Sequence, residues 1–178
     1  MWQSVLEFWF EDVTASGWFA KDADLDAKIA QEFGQLHLAA SHCELFDWRA
    51  TPEGRLAEVI LLDQFSRNIF RDKPQAFACD ALALALAQEA VSQSADTALP
   101  LVQRTFLYMP YMHSESKAVH EEAVRLFSQE GLEQNLNFEM QHKAIIDKFG
   151  RYPHRNEILG RPSTEEEQKF LQTPGSAF

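Results

Sequence analysis

The chain is short of residues on which several large classes of protein depend. Of its 178 residues only two are cysteine, Cys43 and Cys79. They lack paired spacing, so no disulfide framework is expected; reduced thiols in a cytoplasmic protein are. Seven glycines supply no glycine-rich loop to cradle a phosphate. No apolar run approaches the roughly 18 residues of a membrane-spanning helix. The N-terminus brings Glu7, Glu11 and Asp12 early instead of a basic segment followed by an apolar run, so no signal peptide is expected. Cations are scarce as well. Sixteen Lys and Arg against 27 Asp and Glu give a net charge of -11. A field of that sign repels phosphate at long range, which argues against a general nucleic-acid or anionic-membrane binder and leaves room for a local basic pocket. Strictly alternating runs of the β type are missing too.

What is present is material for a core. The hydrophobic share is 46%, with fourteen Phe and four Trp, which argues against disorder. A chain of this length buries roughly 70% of its unfolded surface, and one domain over residues 1–178 is expected. It is organised around Thr51 to Arg71. Thr51 can cap a helix, Pro52 suits its first position and Glu53 its positive end. Leu56, Val59, Ile60, Leu61 and Leu62 then make a helix apolar on most sides, hence central. It runs into Asp63, Gln64, Arg67, Asn68 and Arg71.

The other segments read as helices. Ser4 to Phe10 is a short aromatic helix that plugs the core. Asp22 caps a helix whose buried stripe is Leu25, Ile29, Phe33 and Leu36. Trp48 is expected to pack on the start of the central helix. Ala76 to Val91 is rich in Ala and Leu; Asp80 within it is expected to be exposed rather than a partner of the arginines before it. A helix from about Pro100 is expected to stop before Pro110. Ser114 is expected to cap the next, with Glu115 in its first turn, and Gly131 to end it. Leu136 to Phe149 follows, closed by Gly150, and Ser163 is expected to cap a last acidic helix. The acidic runs Glu121–Glu122 and Glu165–Glu167 read as solvated faces. The sum is an all-α protein of eight or nine antiparallel helices with short connections.

Two helix ends echo one another. Leu61 to Asn68 and Ile145 to Tyr152 both read apolar, apolar, Asp, polar, Phe, small, Arg, polar. In each, Asp and Arg stand at i and i+4, where they can pair, and the two ends are expected to lie close enough to share a site.

The stretches TPEGRLAEVILLDQFSRNIFRDKPQAFACDALALALA, FLYMPYMHSES and QHKAIIDKFGRYPHRNEILGRPSTEEEQKFL resemble the bacterial DUF924 family, and VLEFWF and WFAKD near the N-terminus fit it too. The resemblance covers nearly the whole chain. It implies a tetratricopeptide-like all-helical fold and, since the family's name records no assigned function, no activity. One departure is visible: Ser66 stands where the family pattern has Pro in a Gln-Phe-Pro-Arg-Asn turn, and is expected to loosen the turn before Arg67.

The candidate site gathers Asp63, Arg67, Asn68 and Arg71 from one helix end with His142, Arg151, His154, Arg155 and Asn156 from the other. Arginine forks suit carboxylate or phosphate, and His and Asn add directional donors. The competing account is a closed network in which Asp63, Asp147 and other acids neutralise the arginines. Three functions stay open: a module binding a small anionic ligand or peptide, a small enzyme with His142 or His154 as acid or base and Arg67 and Arg151 as charge clamp, and a structural or homo-oligomeric role. No cofactor is expected. Glu139 and His142 have the spacing of helical di-iron sites, which needs a second such motif; with none, His113 and His120 read as surface or capping groups and no metal is expected. Cys43 and Cys79 lack a base and its orienter and read as buried small side chains.

Overall fold

The computed structural model describes residues 1–176. Among them it is all-α: nine α-helical segments and no strand. These are α1 (Trp2–Glu7), α2 (Ala23–Ser41), α3 (Pro52–Ile60), α4 (Ser66–Ile69), α5 (Asp80–Ser92), α6 (Leu101–Met112), α7 (Lys117–Phe127), α8 (Glu133–Phe149) and α9 (Glu165–Leu171). The chain divides into two compact units. The first holds Met1–Arg71 and Gln75–Pro110; the second holds Asp72–Pro74 and the chain from Tyr111 onward.

The first unit is built around α3. Its start follows the expected rules: Thr51 Oγ1 accepts from Gly54 N at 3.1 Å and Pro52 takes the first turn. Trp48 is buried against that start. A Cβ on Gly54 would lie 2.1 Å from the Trp48 carbonyl oxygen, so only glycine fits. Leu56, Val59, Ile60, Leu61 and Leu62 are all fully buried. Aromatic side chains close the core. Trp9 meets the Phe65 ring at 5.4 Å and the Phe106 ring at 5.8 Å, both edge-on. α2 buries Ile29 and Phe33 on the predicted stripe, and Asp22 caps it by accepting from Asp24 N and Leu25 N.

In the second unit α7 packs on α8, joined by a short turn. α7 buries His120, Ala123, Leu126 and Phe127, and α8 buries Glu139, His142, Ile145 and Ile146. Both stripes follow the three-to-four residue period of a helix, with polar side chains set into them. Gly150 closes α8 at φ 70, the left-handed conformation glycine adopts without penalty.

Several local expectations are corrected. α6 does not stop before Pro110 but runs on to Met112; a proline this near a C-terminus costs little beyond the one backbone bond it cannot donate. Ser116, not Ser114, precedes α7, and Ser114 Oγ accepts from Ser116 N. α9 is capped by Thr164, which with Glu167 forms a reciprocal capping box. That leaves Ser163 to accept from Asn156. Cys43 is exposed, not buried.

Candidate functional site

The first unit carries four of the predicted site residues on one continuous stretch. After α3 the chain widens into a π-helical turn, Leu61–Phe65, before resuming as α4. Such a turn shifts carbonyls out of the regular ladder, and nearby side chains take them up. Ser66 Oγ donates to the Leu62 carbonyl at 2.6 Å, and Arg67 Nη1 to the Asp63 carbonyl at 2.7 Å. His37 Nε2 lies 2.8 Å from Ser66 Oγ. Since Ser66 spends its hydrogen on Leu62, the imidazole is the donor there. Ser66 thus ties the turn to α2 through a hydroxyl that proline at this position would not have.

The charges of this segment are closed on one another. Asp63 is 0% exposed; it accepts from Gln64 at 2.6 Å and lies 3.2 Å from Arg67. Arg67 forks onto Asp80 at 3.0 and 3.1 Å, with its guanidinium 5.7 Å from the Phe77 centroid. Asp80 is therefore the partner of an arginine rather than a plain exposed residue, because the start of α5 points it back at the π turn. Arg71 forks onto Asp26 at 2.5 and 2.7 Å, and Asn68 donates to the same carboxylate at 2.8 Å. Burial pushes the Asp26 carboxyl upward, but the Arg71 and Asn68 bonds outweigh it and hold it below its ordinary range. These forks are already filled by carboxylates, and the cluster ties α2 and α5 to the end of the central helix.

The second unit holds the other five. Arg151 forks onto Glu167 at 2.7 and 2.8 Å and also donates to the Pro162 carbonyl. The Arg151 bond is the main cause that holds the Glu167 carboxyl down at about 2. Glu167 is only 2% exposed, so one residue of the acidic run is not solvated. Asp147, the i−4 neighbour of Arg151, pairs instead with Lys143 at 2.7 Å. The pairing expected in both echo segments is thus made in the first and replaced in the second. Asn156 is fully buried; it accepts from Arg161 at 3.0 Å and donates to Ser163 at 3.1 Å.

The remaining three surround Tyr152, a ring only 1% exposed. The Arg155 guanidinium lies 4.6 Å from its centroid and donates to the His113 carbonyl at 3.0 Å. His142 meets the ring edge-on at 5.8 Å, and His154 lies tilted against it at 5.5 Å. His142 Nδ1 donates to the Phe138 carbonyl at 2.7 Å. Burial, reinforced by His113, His120 and His154 nearby, presses His142 down to about 3, against the Phe138 bond that works the other way. It is therefore neutral at pH 7, with its lone pair on Nε2.

Sequence reasoning missed His120, Glu139, Tyr152, Glu115 and Arg161. His120 is 0% exposed, not a surface group, and its Nδ1 lies 2.6 Å from Glu139 Oε1. The signal was present: His120 stands on the same helical stripe as Ala123 and Phe127, and Glu139 on that of Ile146. Glu115 does not serve the start of α7; it accepts the Tyr152 N–H at 2.8 Å and the Arg161 fork at 2.7 and 2.9 Å. Burial raises its carboxyl, and those bonds together with the charges of Arg155 and Arg161 bring it below its ordinary range. Among the described residues no group of three or more His, Cys, Asp and Glu is placed to hold a metal ion, and no helix is long and apolar enough to cross a membrane. An apolar groove lined by Ile145, Phe149, Phe170 and Pro174 contains none of the predicted residues.

Comparison with known proteins extends the geometry without naming a reaction. The DUF924 family, described as bacterial proteins of unknown function, matches residues 5–175. The chain is also similar to a protein of unknown function from Agrobacterium tumefaciens, whose solved structure superposes with a TM-score of 0.91 at 37% identity, covering 96% of each chain. No curated protein matches.

Proposed function

The chain belongs to the DUF924 family, and on that premise we propose that it is a binding module for a small anionic ligand or the acidic end of a peptide. The site we assign is the group around Tyr152 in the second unit, with Arg155 supplying charge, His154 direction, and neutral His142 an acceptor for a hydrogen that the ligand carries, such as a phosphate O–H or a peptide N–H. The observation that carries this reading is the concentration of nitrogen groups on one buried ring, in a chain with only six histidines. The forks of Arg67, Arg71 and Arg151 hold carboxylates of the chain itself, so these residues, with Asp63 and Asn68, shape the fold, and Asn156 positions Arg161. Binding is favoured over catalysis by His142: a general base works best near the operating pH, and a group at about 3 is a hydrogen-bond acceptor at neutral pH instead. A tetratricopeptide-like stacking of antiparallel helices, which the packing of α7 on α8 supports, suits a binding module. The cytoplasm is the compartment we assign, since Cys43 and Cys79 are free thiols.

The test is a thermal-shift series over chloride, phosphate, sulfate, succinate and citrate at fixed ionic strength. The anion that fits should stabilise by about 2.7 kcal/mol at a hundredfold excess over its Kd. Arg155→Gln should lose that response, because a neutral amide cannot supply the charged fork, while Arg67→Gln should retain it. As a check on the unaltered protein, the imidazole resonances of His142 and His154 should shift on titration with phosphate and succinate. Equal shifts for all anions, or unmoved imidazole resonances, would falsify the site.

A further inference from the structure

His120 and Glu139 are each 0% exposed, and the binding reading makes no use of them. Their hydrogen bonds fix how many protons they hold. His120 Nε2 lies 2.8 Å from the Ser114 carbonyl, which can only accept, so Nε2 carries a hydrogen. The Tyr152 hydroxyl lies 3.3 Å from the same nitrogen. It gives its own hydrogen to the Met112 carbonyl at 2.5 Å and therefore accepts from Nε2 as well. Nδ1 then faces Glu139 Oε1 at 2.6 Å, a contact that needs one hydrogen between the two atoms, on the imidazole or on the carboxyl. With none, a ring lone pair would stand against a carboxylate oxygen. With two, the second acid hydrogen would fall on Oε2, which is buried without a hydrogen-bond partner, beside a buried imidazolium.

We propose that the single proton shared by His120 and Glu139 is a latch between α7 and α8, so that the folded second unit takes up a proton on closing and loosens as alkali withdraws it. In the unfolded chain above the imidazole range of about 6.5, the same two groups hold no proton between them. The folded pair holds one. The opening constant therefore rises about tenfold for each pH unit above that range, until the folded pair itself deprotonates. Between about 4.3 and 6.5 the unfolded pair also holds one proton, and the latch does not respond to pH. Burial, which raises the Glu139 carboxyl, acts in the same direction.

The charges around the latch do not supply a substitute proton. On α8, Lys143 is engaged with Asp147 and Glu121, and His142 is neutral. On α7, Lys117 donates to the Asp147 carbonyl. From the turn before α7, Glu115 is held by Arg161, and from the segment after α8 Tyr152 has committed its hydrogen to Met112.

The decisive variant is Glu139→Gln. Its amide N–H can donate to Nδ1 of a neutral imidazole, so the bond persists with no proton to lose. Opening constants for α7 and α8 are read from amide exchange, corrected for the intrinsic rate, between about pH 6.5 and 8.5, bracketing the start of the predicted fall. The wild type should open about tenfold more per pH unit, and Glu139→Gln should be flat. A flat wild type, or equal slopes in the two proteins, overturns the latch. A second measurement needs no variant. In the 15N-labelled protein, His120 Nε2 should stay protonated and the Nδ1–Glu139 proton should persist above the ordinary imidazole range. An ordinary imidazole titration of His120 in the folded protein sinks the proposal.

Discussion

Acid should act on the second unit through His142. The folded protein holds this imidazole at about 3, while the unfolded chain returns it to its ordinary value of 6.5. The folded state therefore binds fewer protons between those limits. Its stability is fully present above about 6.5 and is lost as pH falls, at about 1.4 kcal/mol per unit, because each unit of pKa difference is worth that much. From pH 6.5 to 4.5 the loss from this one group is about 2.3 kcal/mol, since the unfolded imidazole is already half protonated at the start; that is a large part of a typical domain's stability. His142→Gln removes the titration and keeps a polar side chain beside the Phe138 carbonyl. Whatever the variant costs at neutral pH cancels when the change across pH is compared. The assay is amide exchange of α8, read as opening free energy at pH 6.5, 5.5 and 4.5. The wild type should lose about 2.3 kcal/mol more than His142→Gln over that span. Parallel profiles would show that His142 is protonated within the folded unit and would refute its burial as a neutral base. Together with the latch, whose stability falls on the alkaline side, this places the maximum stability of the second unit near the ordinary imidazole value.

Two further outcomes concern buried contacts of the first unit, with one exposed residue of the second as the reference. Asp63→Ala should lower stability by about 2–3 kcal/mol, since it strips a buried partner from Arg67 and Gln64; Glu166→Ala, at a side chain 68% exposed, should stay within about 0.5 kcal/mol, and equal urea midpoints for the two would refute the burial of Asp63. Gly54→Ala, normally worth about 1 kcal/mol in favour of a helix, should instead destabilise by about 2 kcal/mol or more, because its Cβ would lie 2.1 Å from the Trp48 carbonyl oxygen; a raised Tm would show that the approach relaxes freely.

The fold was legible where one residue carries its own local reason. Thr51-Pro52 and Asp22 start helices by supplying acceptors for the first free N–H groups, and the stripe of Ile29 and Phe33 needs only the helical period. Legibility failed where tertiary neighbours choose among locally equal options. Ser114, Ser116, Ser163 and Thr164 are all fair caps; which one serves depends on whether its hydroxyl is wanted elsewhere, as Ser163 is wanted by Asn156. The π turn at Leu61–Phe65 was invisible for the same reason. Its carbonyls need donors, and those donors, Ser66 and Arg67, read along the chain only as a turn residue and a candidate ligand.

The candidate site shows the same division between residue type and residue partner. Both echo segments set Asp four residues before Arg, and i,i+4 pairs on a helix contribute only a few tenths of a kcal/mol. A preference that small is overridden wherever a better-placed acceptor exists. Arg67 keeps Asp63 and adds Asp80, because the π turn and the start of α5 converge on it. Arg151 abandons Asp147 for Glu167, whose carboxylate is already aimed by the capping box of α9. The sequence could mark these arginines as needing anions, since a guanidinium this poorly hydrated demands one. It could not say whether the anion belongs to the chain, because that depends on which carboxylate the remote helices deliver. Arg155 is placed by a ring: its guanidinium rests on the face of Tyr152, the neighbour set by the turn after α8, and His142 and His154 stand against the same ring. That is why the binding reading moves from the arginine pair at the echo ends to the ring between the histidines.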